Sequence, residues 1–329
     1  MADNTPRYPA DLTSGNAADP APQVQQMVFA ENLVKIYKTA EIEVVALQGL
    51  DLTVNAGELM AIIGNSGSGK STLLNIVGGL DIPSAGRIEV DGKNLVKFTD
   101  RDFISFRRDT VGFVWQNVAR NLVPYLTAVQ NVEIPMFLAR SKDRKKRARE
   151  LLELVGLPHR MNSRLGELSG GEQQRVAIAI GMANLPRLLL ADEPTGNVDS
   201  ATAGTIFQAF RTLNKNYGVT VIIVTHDKRI SRAVDRVVAI RDGRTSSEFI
   251  RREPAESQTI AGGMGTSMVE DTHDELAVLD RAGRLQLPRE YLDALGLGGS
   301  DKVKVSLEDG RIVLSPPGGT GKKREEGIK

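Results

Sequence analysis

The chain has no cysteine and few aromatic residues, with a single tryptophan among its 329 residues. The absence of cysteine excludes disulfide bonds and thiolate metal sites, and it is consistent with a reducing compartment. No apolar run reaches the roughly 18 residues that a membrane-spanning helix needs, so we expect no membrane span. The first residues also lack the basic-then-apolar pattern of a secretion signal, and we expect no such signal.

A large net charge of either sign is also missing. The 42 lysine and arginine residues nearly balance the 41 aspartate and glutamate residues, which leaves a formal charge of +1. This balance produces no overall field that would attract the chain to nucleic acid or to anionic lipid. The length is sufficient for two domains.

The most specific feature that is present is residues 168–175, LSGGEQQR. Ser169 is predicted to cap a helix, and Glu172 stands three residues later, where a capping box needs an acid. Gly170 and Gly171 leave the backbone bare, so an anion can approach the N–H groups at the positive end of the helix dipole. This segment therefore predicts a helix start that faces a phosphate.

A phosphate-binding loop is predicted at residues 64–71, GNSGSGKS, which fit G-x-x-x-x-G-K-[ST]. The loop follows an apolar run typical of a strand buried on both faces, and a helical pattern follows it. Lys70 is expected to bridge the β- and γ-phosphates, and Ser71 to bind Mg²⁺. The alternative is a glycine-rich turn with a solvated lysine. The residues assigned here to nucleotide binding are Asn65, Ser66, Gly67, Ser68, Gly69, Lys70, Ser71 and Thr72.

Two adjacent carboxylates end a second apolar strand at residues 188–191. Asp192 is expected to reach the metal ion, directly or through water. Glu193 is expected to point to the other side of the pleat, where it would polarise the attacking water. The alternative is a pair of solvated carboxylates at a strand end, which is disfavoured beside a phosphate-binding loop.

In combination, these segments resemble the ATP-binding subunit of ATP-binding-cassette (ABC) transporters. Residues 168–175 are similar to the signature of that family, and residues 64–72 and 188–193 are similar to its two nucleotide motifs. The resemblance extends over about residues 28–251, with the motifs in the family's order. It implies an ATP hydrolase that uses ATP and Mg²⁺. It also implies an α/β fold with a RecA-like P-loop NTPase core, an antiparallel β subdomain and a helical subdomain.

The resemblance implies roles for four more residues. Tyr37 matches the aromatic residue that stacks on adenine, and Gln116 matches the Q-loop glutamine that contacts Mg²⁺ or water. Asp199 matches the D-loop aspartate, and His226, at the end of the apolar run 221–224, matches the switch histidine that holds the γ-phosphate. The residues assigned to catalysis are Lys70, Gln116, Glu193 and His226, and those assigned to Mg²⁺ are Ser71, Gln116 and Asp192.

Three of these residues have structural alternatives. Tyr37 is also compatible with a half-buried strand tyrosine, Gln116 with a solvated loop amide, and His226 with a hydrogen-bonded core histidine. The other two histidines, His159 and His273, have no comparable setting, and we assign them no role.

The resemblance also implies a homodimer and a membrane partner. In the head-to-tail dimer, Ser169, Gly170, Gly171 and Glu172 of one chain serve the nucleotide held by the other. Residues 121–127 and 133–135 resemble the lipoprotein-release, macrolide-export and FtsE-like branch. That branch implies a separate permease of the FtsX or MacB type, export or extraction of substrate, and a peripheral location at the cytoplasmic face of the cell membrane.

The composition and the family resemblances together divide the chain into five parts. They are a disordered lead (1–26), the nucleotide-binding domain (27–251), a linker (252–273), a dimerisation domain (274–316) and a disordered tail (317–329). Within the second part, residues 129–166 have a helical pattern. The basic run 140–147 is predicted to be a solvated helix face, with contact to lipid head groups as the alternative.

The dimerisation domain is predicted from its short elements. Residues 276–280 and 284–287 have strand patterns, a short helix follows Pro288, and residues 302–314 form a hairpin around Asp309 and Gly310. About forty residues bury little surface alone, which favours a partner copy. The unit is similar to the AbrB/MazE-type swapped-hairpin domain, which implies a β-rich unit shared by two chains.

Many members of that family bind DNA, but the composition argues against DNA binding here. Residues 274–316 contain eight acidic and six basic residues, a net charge of −2, and Leu292 stands where the family often has an arginine. We therefore expect dimerisation without nucleic-acid binding. Two alternatives remain: an ATP-sensing regulator that binds DNA, and a soluble ABC ATPase acting on DNA or ribosomes. The latter usually has paired cassettes or a long coiled coil, and neither pattern is present.

Overall fold

The structure is a computed structural model that describes residues 25–38, 42–196, 198–251, 273–278, 289–294, 303–308 and 311–315, with residues 283, 285 and 287. Residues 1–24 of the predicted lead, 252–272 of the predicted linker and all of the predicted tail lie outside the described residues. Gln26, the last residue of the predicted lead, belongs to the first strand.

The described residues contain both strands and helices. The strands are β1 (Gln26–Lys38), β2 (Glu43–Asn55), β3 (Leu59–Ile63), β4 (Ala85–Val90), β5 (Lys93–Asn94), β6 (Val111–Val114), β7 (Leu188–Asp192), β8 (Thr220–Thr225), β9 (Arg236–Arg241), β10 (Arg244–Arg251), β11 (His273–Ala277), β12 (Lys304–Glu308) and β13 (Arg311–Ser315). The α-helices are α1 (Lys70–Val77), α2 (Asp100–Asp109), α3 (Ala128–Leu138), α4 (Arg144–Leu154), α5 (Gly170–Gly181), α6 (Ser200–Tyr217) and α7 (Arg289–Ala294).

The central sheet has seven strands in the order β11-β10-β9-β3-β8-β7-β6. Strands β9, β3, β8, β7 and β6 are parallel to one another, and β10 and β11 add an antiparallel edge. The carboxyl ends of the parallel strands therefore meet at one edge of the sheet, where open α/β sheets bind their ligands.

Helices cover both faces of this sheet, which explains the continuous apolar strand sequences. Alternate residues of β3 face opposite ways: Leu59 and Ala61 pack with α3 to α6 on one face. Met60 and Ile62 pack with α1 and with β1, β2 and β4 on the other face. The helix that begins at the signature segment and the helix that follows the phosphate loop thus lie on opposite faces of the sheet.

A second sheet, β2-β1-β4-β5, forms the antiparallel subdomain. Its β4–β5 turn uses Asp91 (φ 52°) and Gly92 (φ 70°), the positive φ pair for which an Asp-Gly sequence is favoured. Arg236 of β9 joins this sheet to the core, since it donates hydrogen bonds to Glu58 Oε1 at 2.6 Å and to Thr53 O at 2.5 Å.

The basic run at residues 140–147 was predicted to be one solvated helix face. Lys142, Lys145 and Lys146 are exposed, but only the second half of the run is helical. Arg140 (φ 58°) follows the end of α3, and α4 begins only at Arg144. Arg144 pairs with Glu133 of α3 at 3.5 Å, and Arg147 donates to Ala183 O at 3.4 Å. Part of the positive charge is therefore used to pack α3, α4 and the end of α5 together.

The C-terminal elements described in full agree with the sequence in type but differ in their bounds. Of the strand predicted at residues 284–287, only residues 285 and 287 are described. The hairpin of β12 and β13 and the short helix α7 are confirmed. The strand expected at residues 276–280 begins at His273 instead and pairs with β10, because that edge strand offers free backbone groups. In the part of the chain that the structure describes, every helix is too short or too polar to span a membrane.

Candidate active site

The predicted nucleotide residues converge at the carboxyl edge of the parallel sheet. The phosphate loop follows β3, Asp192 ends β7, Thr225 ends β8, and Gln116 follows β6. Because β3, β8 and β7 are direct neighbours, the loop and the two carboxylates lie side by side. This arrangement confirms the strand-then-loop order inferred from the sequence.

The phosphate loop needs glycine for its backbone conformation. Gly67 and Gly69 have φ angles of 78° and 100°, in the left-handed region that favours glycine. A Cβ on Gly69 would also lie 2.5 Å from Ala46 O of β2, so the small sheet lies directly against the loop. The first N–H groups of α1 lack helical acceptors and are available for an anion at this end of the helix.

Lys70 is folded back onto its own loop. Its Nζ donates hydrogen bonds to Gly64 O at 2.8 Å and to Asn65 O at 2.9 Å, and the residue is buried. Burial lowers the pKa of Lys70, and the nearby carboxylates of Glu193 and Asp192 oppose that shift. The positive charge is therefore held among backbone carbonyls and two carboxylates, close to where a triphosphate would bind.

The side-chain oxygens at the phosphate loop fit the binding of Mg-ATP. Ser68 Oγ is buried and has no hydrogen-bond partner among the described residues, which suits a phosphate oxygen. Ser71 Oγ donates to Asp192 Oδ1 at 3.2 Å. Two oxygen ligands about 3 Å apart suit adjacent positions around an octahedral Mg²⁺ ion.

Asp192 also has the electrostatic setting of a cation ligand. Burial raises the pKa of its carboxyl, and the charge of Glu193 raises it further, while Ser71 and Lys70 act in the opposite direction. A second carboxylate nearby makes the local charge unfavourable, and a divalent cation would relieve it.

Glu193 leaves the strand by a route that the sequence did not predict. We expected simple pleat alternation, but Glu193 has φ 47° and lies just beyond β7. Its N–H donates to Val224 O of β8 at 2.8 Å. This left-handed turn directs the carboxylate toward the end of β8, away from the Ser71 contact of Asp192.

Three groups at the end of β8 hold the Glu193 carboxylate. Thr225 Oγ1 donates to Oε2 at 3.2 Å, the His226 backbone N–H donates at 3.4 Å, and His226 Nδ1 lies 2.9 Å from the same oxygen. Sequence reasoning missed Thr225; a hydroxyl at the end of an otherwise apolar strand was the available signal. His226 is not a core histidine, because its side chain is 68% exposed.

Gln116 lies beside the loop that follows Glu193. Gln116 is exposed, and a Cβ built on Gly196 would lie 3.2 Å from Gln116 Nε2. Asn121, whose role sequence reasoning also missed, holds the backbone that leads to Gln116. Its Oδ1 accepts a hydrogen bond from Trp115 N at 3.0 Å, and its Nδ2 donates one to Phe113 O at 3.1 Å.

Tyr37 lies at the end of β1, next to the phosphate loop. It pairs with Val44 of β2 across the sheet, and both side chains are exposed, at 39% and 52%. Its hydroxyl donates to Asp81 Oδ2 at 2.7 Å. Burial and Asp81 raise the pKa of Tyr37, whereas the nearby Thr72 of α1 acts to lower it. The ring is thus a partly open surface close to the phosphate site, as an adenine platform requires.

The signature segment forms the capping box that the sequence predicts. Glu172 N donates to Ser169 Oγ at 3.3 Å, and Ser169 N donates to Glu172 Oε2 at 2.8 Å. Arg160 Nε also donates to Glu172 Oε1 at 3.0 Å. The hydrogen bond from the Ser169 backbone, followed by the contact with Arg160, lowers the pKa of Glu172 against the effect of burial. Both oxygens of Glu172 are therefore used to fix the helix start.

The two signature glycines differ in their surroundings. A Cβ on Gly170 would meet nothing within 4 Å, whereas a Cβ on Gly171 would lie 2.1 Å from Thr202 Cγ2 of α6. Asp199 caps that helix: its carboxylate accepts from Ala201 N, Thr202 N and Thr202 Oγ1 at 2.9, 3.0 and 2.6 Å. The preceding Asn197 lies outside the described residues.

The comparisons with known proteins agree with this geometry. Residues 47–196 match the ABC transporter family. The lipoprotein-releasing system ATP-binding protein LolD 2 of Caulobacter vibrioides is 46% identical over 213 residues, which are 64% of this chain and 92% of that protein. This chain belongs to the ATP-binding subunits of ABC transporters. An uncharacterized ABC transporter ATP-binding protein of Thermotoga maritima is 49% identical over 212 residues, 64% of this chain and 89% of that protein.

Solved structures of other ABC cassettes have the same fold. The ATP-binding cassette MJ0796, in a dimeric post-hydrolysis state bound to ADP and Pi, is 41% identical with a TM-score of 0.63, over 69% of this chain and 100% of that chain. The cbiO1 protein of Clostridium perfringens, part of the ABC transporter complex cbiONQ, is 30% identical with a TM-score of 0.61, over 67% and 87% of the two chains. The chain is therefore an ABC-type ATP hydrolase with a P-loop NTPase fold, and its cofactors are ATP and Mg²⁺.

Proposed function

We propose that the chain is the ATPase subunit of a transporter in the lipoprotein-release, macrolide-export and FtsE-like branch. A homodimer would energise a separate FtsX- or MacB-type permease at the cytoplasmic face of the membrane, for export or extraction of substrate. The name of the Caulobacter relative and the branch-like sequence at residues 121–127 support this assignment. In this proposal, the passage through the membrane belongs to the permease.

The position of the signature segment is the main support for the proposed homodimer. Ser169 caps α5 on one face of the central sheet, whereas Lys70 begins α1 on the other face. Among the described residues, no hydrogen bond or ion pair joins the signature segment to the phosphate loop. One chain therefore has two phosphate-facing helix starts that it does not bring together, and a second copy would complete each site.

ATP binding would use residues of a single chain that are described above. Tyr37 would stack on adenine, and the backbone of residues 65–72 would surround the phosphates. Lys70 would neutralise the β- and γ-phosphates. Ser71, Asp192 and Gln116 would hold Mg²⁺, which when bound neutralises charge on the same phosphates.

Hydrolysis would depend on the orientation of Glu193. Its carboxylate would accept a hydrogen bond from the attacking water and polarise it as the water oxygen attacks the γ-phosphorus in line. The bond from the γ-phosphorus to the β-γ bridging oxygen breaks, and ADP and inorganic phosphate form. Thr225 and His226 would keep the carboxylate aimed at that water, and His226 would also contact the γ-phosphate.

The partner chain would complete the site. Ser169 Oγ and the N–H groups of Gly170 and Gly171 would press on the γ-phosphate, so that binding closes the dimer and hydrolysis releases it. Glu172 would support this surface through the capping box and not by direct contact with phosphate. Asp199 would act at the same interface by fixing the start of α6 against Gly171.

The C-terminal elements would tether the dimer as an AbrB-like swapped-hairpin unit. Val305, Leu307 and Ile312 share one face of the β12–β13 hairpin and are 63%, 76% and 73% exposed, which suits burial by a second copy. The acidic net charge of residues 274–316 disfavours DNA as the partner. Removal of residues 279–329 leaves β11 in place, and we expect it to weaken nucleotide-free association in sedimentation while ATP binding persists. Unchanged association would contradict the tether.

Purification of the full chain from membranes tests the transport assignment. We expect a permease of the FtsX or MacB type to co-purify with it. Ribosomes or DNA in the purified complex, without a permease, would favour a soluble ABC ATPase. Tight, salt-sensitive binding of DNA in a mobility-shift assay would instead favour the ATP-sensing regulator.

A further inference from the structure

Asp81, in the loop after α1, contacts two side chains of β1. Tyr37 Oη donates to Asp81 Oδ2 at 2.7 Å, and Lys35 Nζ donates to Asp81 Oδ1 at 2.5 Å. Lys35 Nζ also lies 4.9 Å from the centroid of the Tyr37 ring. Each of the three side chains therefore contacts the other two, and none of them can turn without breaking a contact.

The loop that carries Asp81 is itself fixed at both ends. Asp81 N donates to Asn75 O of α1 at 3.2 Å. Ser84 N donates to Val34 O at 2.8 Å, and Ser84 Oγ accepts from Ile36 N at 3.0 Å. The Asp81 carboxylate is thus held by backbone contacts with both α1 and β1, so it can set the orientation of a side chain on β1.

The protonation states at this cluster favour a single hydrogen-bond arrangement. Burial acts to raise the pKa of Asp81, but the hydrogen bonds from Lys35 and Tyr37 outweigh it and hold that pKa below its ordinary value. Burial, and then Asp81, raises the pKa of Tyr37. At neutral pH the carboxylate is therefore the acceptor and the phenol is the donor.

We propose that Asp81, held by Lys35, is a positioning residue that fixes the Tyr37 ring for the nucleobase. This inference rests on the proposed role of Tyr37 in stacking. The helix that begins at the phosphate loop ends at the loop of Asp81, so one rigid element aligns the phosphate site and the base platform. Loss of the Asp81 contact frees the ring, and the base must then order it on binding.

The test separates affinity for the base from affinity for the phosphates. We expect Asp81→Ala to raise the KM for ATP about three- to tenfold, the effect of one lost hydrogen bond, with kcat within about twofold of wild type. The inhibition constant of tripolyphosphate, which has no base, should not change. Asp81→Asn keeps an acceptor oxygen for the phenol, and its KM should lie between those of the wild type and Asp81→Ala.

A double-mutant cycle gives the second readout. Tyr37→Phe removes the same hydrogen bond from its other side, so Asp81→Ala/Tyr37→Phe should raise KM no more than either single change. Asp109→Ala is the matched control, because Asp109 pairs with Arg108 at 2.7 Å on the surface of α2. That variant should keep the wild-type KM.

Two results would overturn the role of Asp81 while leaving the proposed contact between Tyr37 and the nucleobase intact. One is a wild-type KM in Asp81→Ala when Tyr37→Leu raises it. The other is a rise in the tripolyphosphate inhibition constant equal to the rise in KM, which would make Asp81 a general support of α1. A wild-type KM in Tyr37→Leu would instead remove the proposed base contact, and the inference with it.

Discussion

His226 Nδ1 lies 2.9 Å from Glu193 Oε2, and the two residues belong to the ends of neighbouring parallel strands. This contact links the carboxylate proposed to polarise water with the histidine proposed to hold the γ-phosphate. The backbone of Glu193 has φ 47°, in the left-handed region. A residue held in such a conformation is typical of a site where the surrounding structure enforces one orientation.

Glu193→Gln should abolish turnover without loss of ATP binding. The amide keeps the size of the side chain but accepts no proton from water, so we expect kcat to fall by about 100-fold or more. ATP should then trap a closed dimer that gel filtration detects. Glu153→Gln, on the exposed side of α4, is the matched control and should be as active as wild type. Near-normal hydrolysis by Glu193→Gln would remove Glu193 from the mechanism.

Thr225→Val tests the support of that carboxylate. The change keeps the shape of the side chain and removes the hydroxyl that donates to Glu193. A hydrogen bond to a charged group contributes about 1.5 kcal/mol or more, so kcat should fall about tenfold while ATP affinity is kept. Thr205→Val removes a comparable hydroxyl on α6 and should have little effect. Equal kcat values for the two variants would show that Thr225 does not orient Glu193.

Gly170→Ala should lower activity without loss of stability, whereas Gly171→Ala should lower the stability of the fold itself. Gly170→Ala meets no atom within 4 Å in the chain, so the melting temperature should be kept while ATP hydrolysis falls, because the methyl group would face the partner's nucleotide. Gly171→Ala must displace Thr202 and should destabilise the fold by about 1–3 kcal/mol. Thermal unfolding and ATPase assays measure both effects.

Thr202→Ser supplies the control for the second glycine. It removes the clashing methyl group and keeps the hydroxyl that donates to Asp199. Gly171→Ala/Thr202→Ser should therefore recover most of the lost stability. If it unfolds as early as Gly171→Ala alone, the steric contact with Thr202 is not the cause.

Glu172→Gln should reduce the loss of fold stability that occurs as the pH falls. The folded pKa of Glu172 is depressed, mainly by the Ser169 backbone N–H. Its contribution is therefore complete above its unfolded pKa of about 4.3 and is lost as pH falls through the lower folded value. The difference in melting temperature between wild type and Glu172→Gln should be largest near neutral pH and should shrink below about pH 4. A pH-independent difference would exclude a role for the charge.

Local features were predictable from the sequence, and contacts between distant segments were not. The capping box of Ser169 and the Asp91 turn depend on residues three or fewer positions apart, so a short pattern specifies them. The tie between Tyr37 and Asp81 and the pairing of β11 with β10 join segments that only the folded sheet brings together. The left-handed backbone of Glu193, with φ 47°, was likewise not predicted from the sequence.

Complementation between two inactive variants is the most direct test of the shared site. Lys70→Ala disables the phosphate loop, and Ser169→Arg blocks the signature segment, so each homodimer should be inactive. In the mixed dimer, the intact loop of one chain meets the intact signature of the other. Mixing equal amounts should restore about a quarter of wild-type hydrolysis, since about half the dimers are mixed and each has one intact site. Activity no higher than that of the separate variants would contradict a site built from two chains.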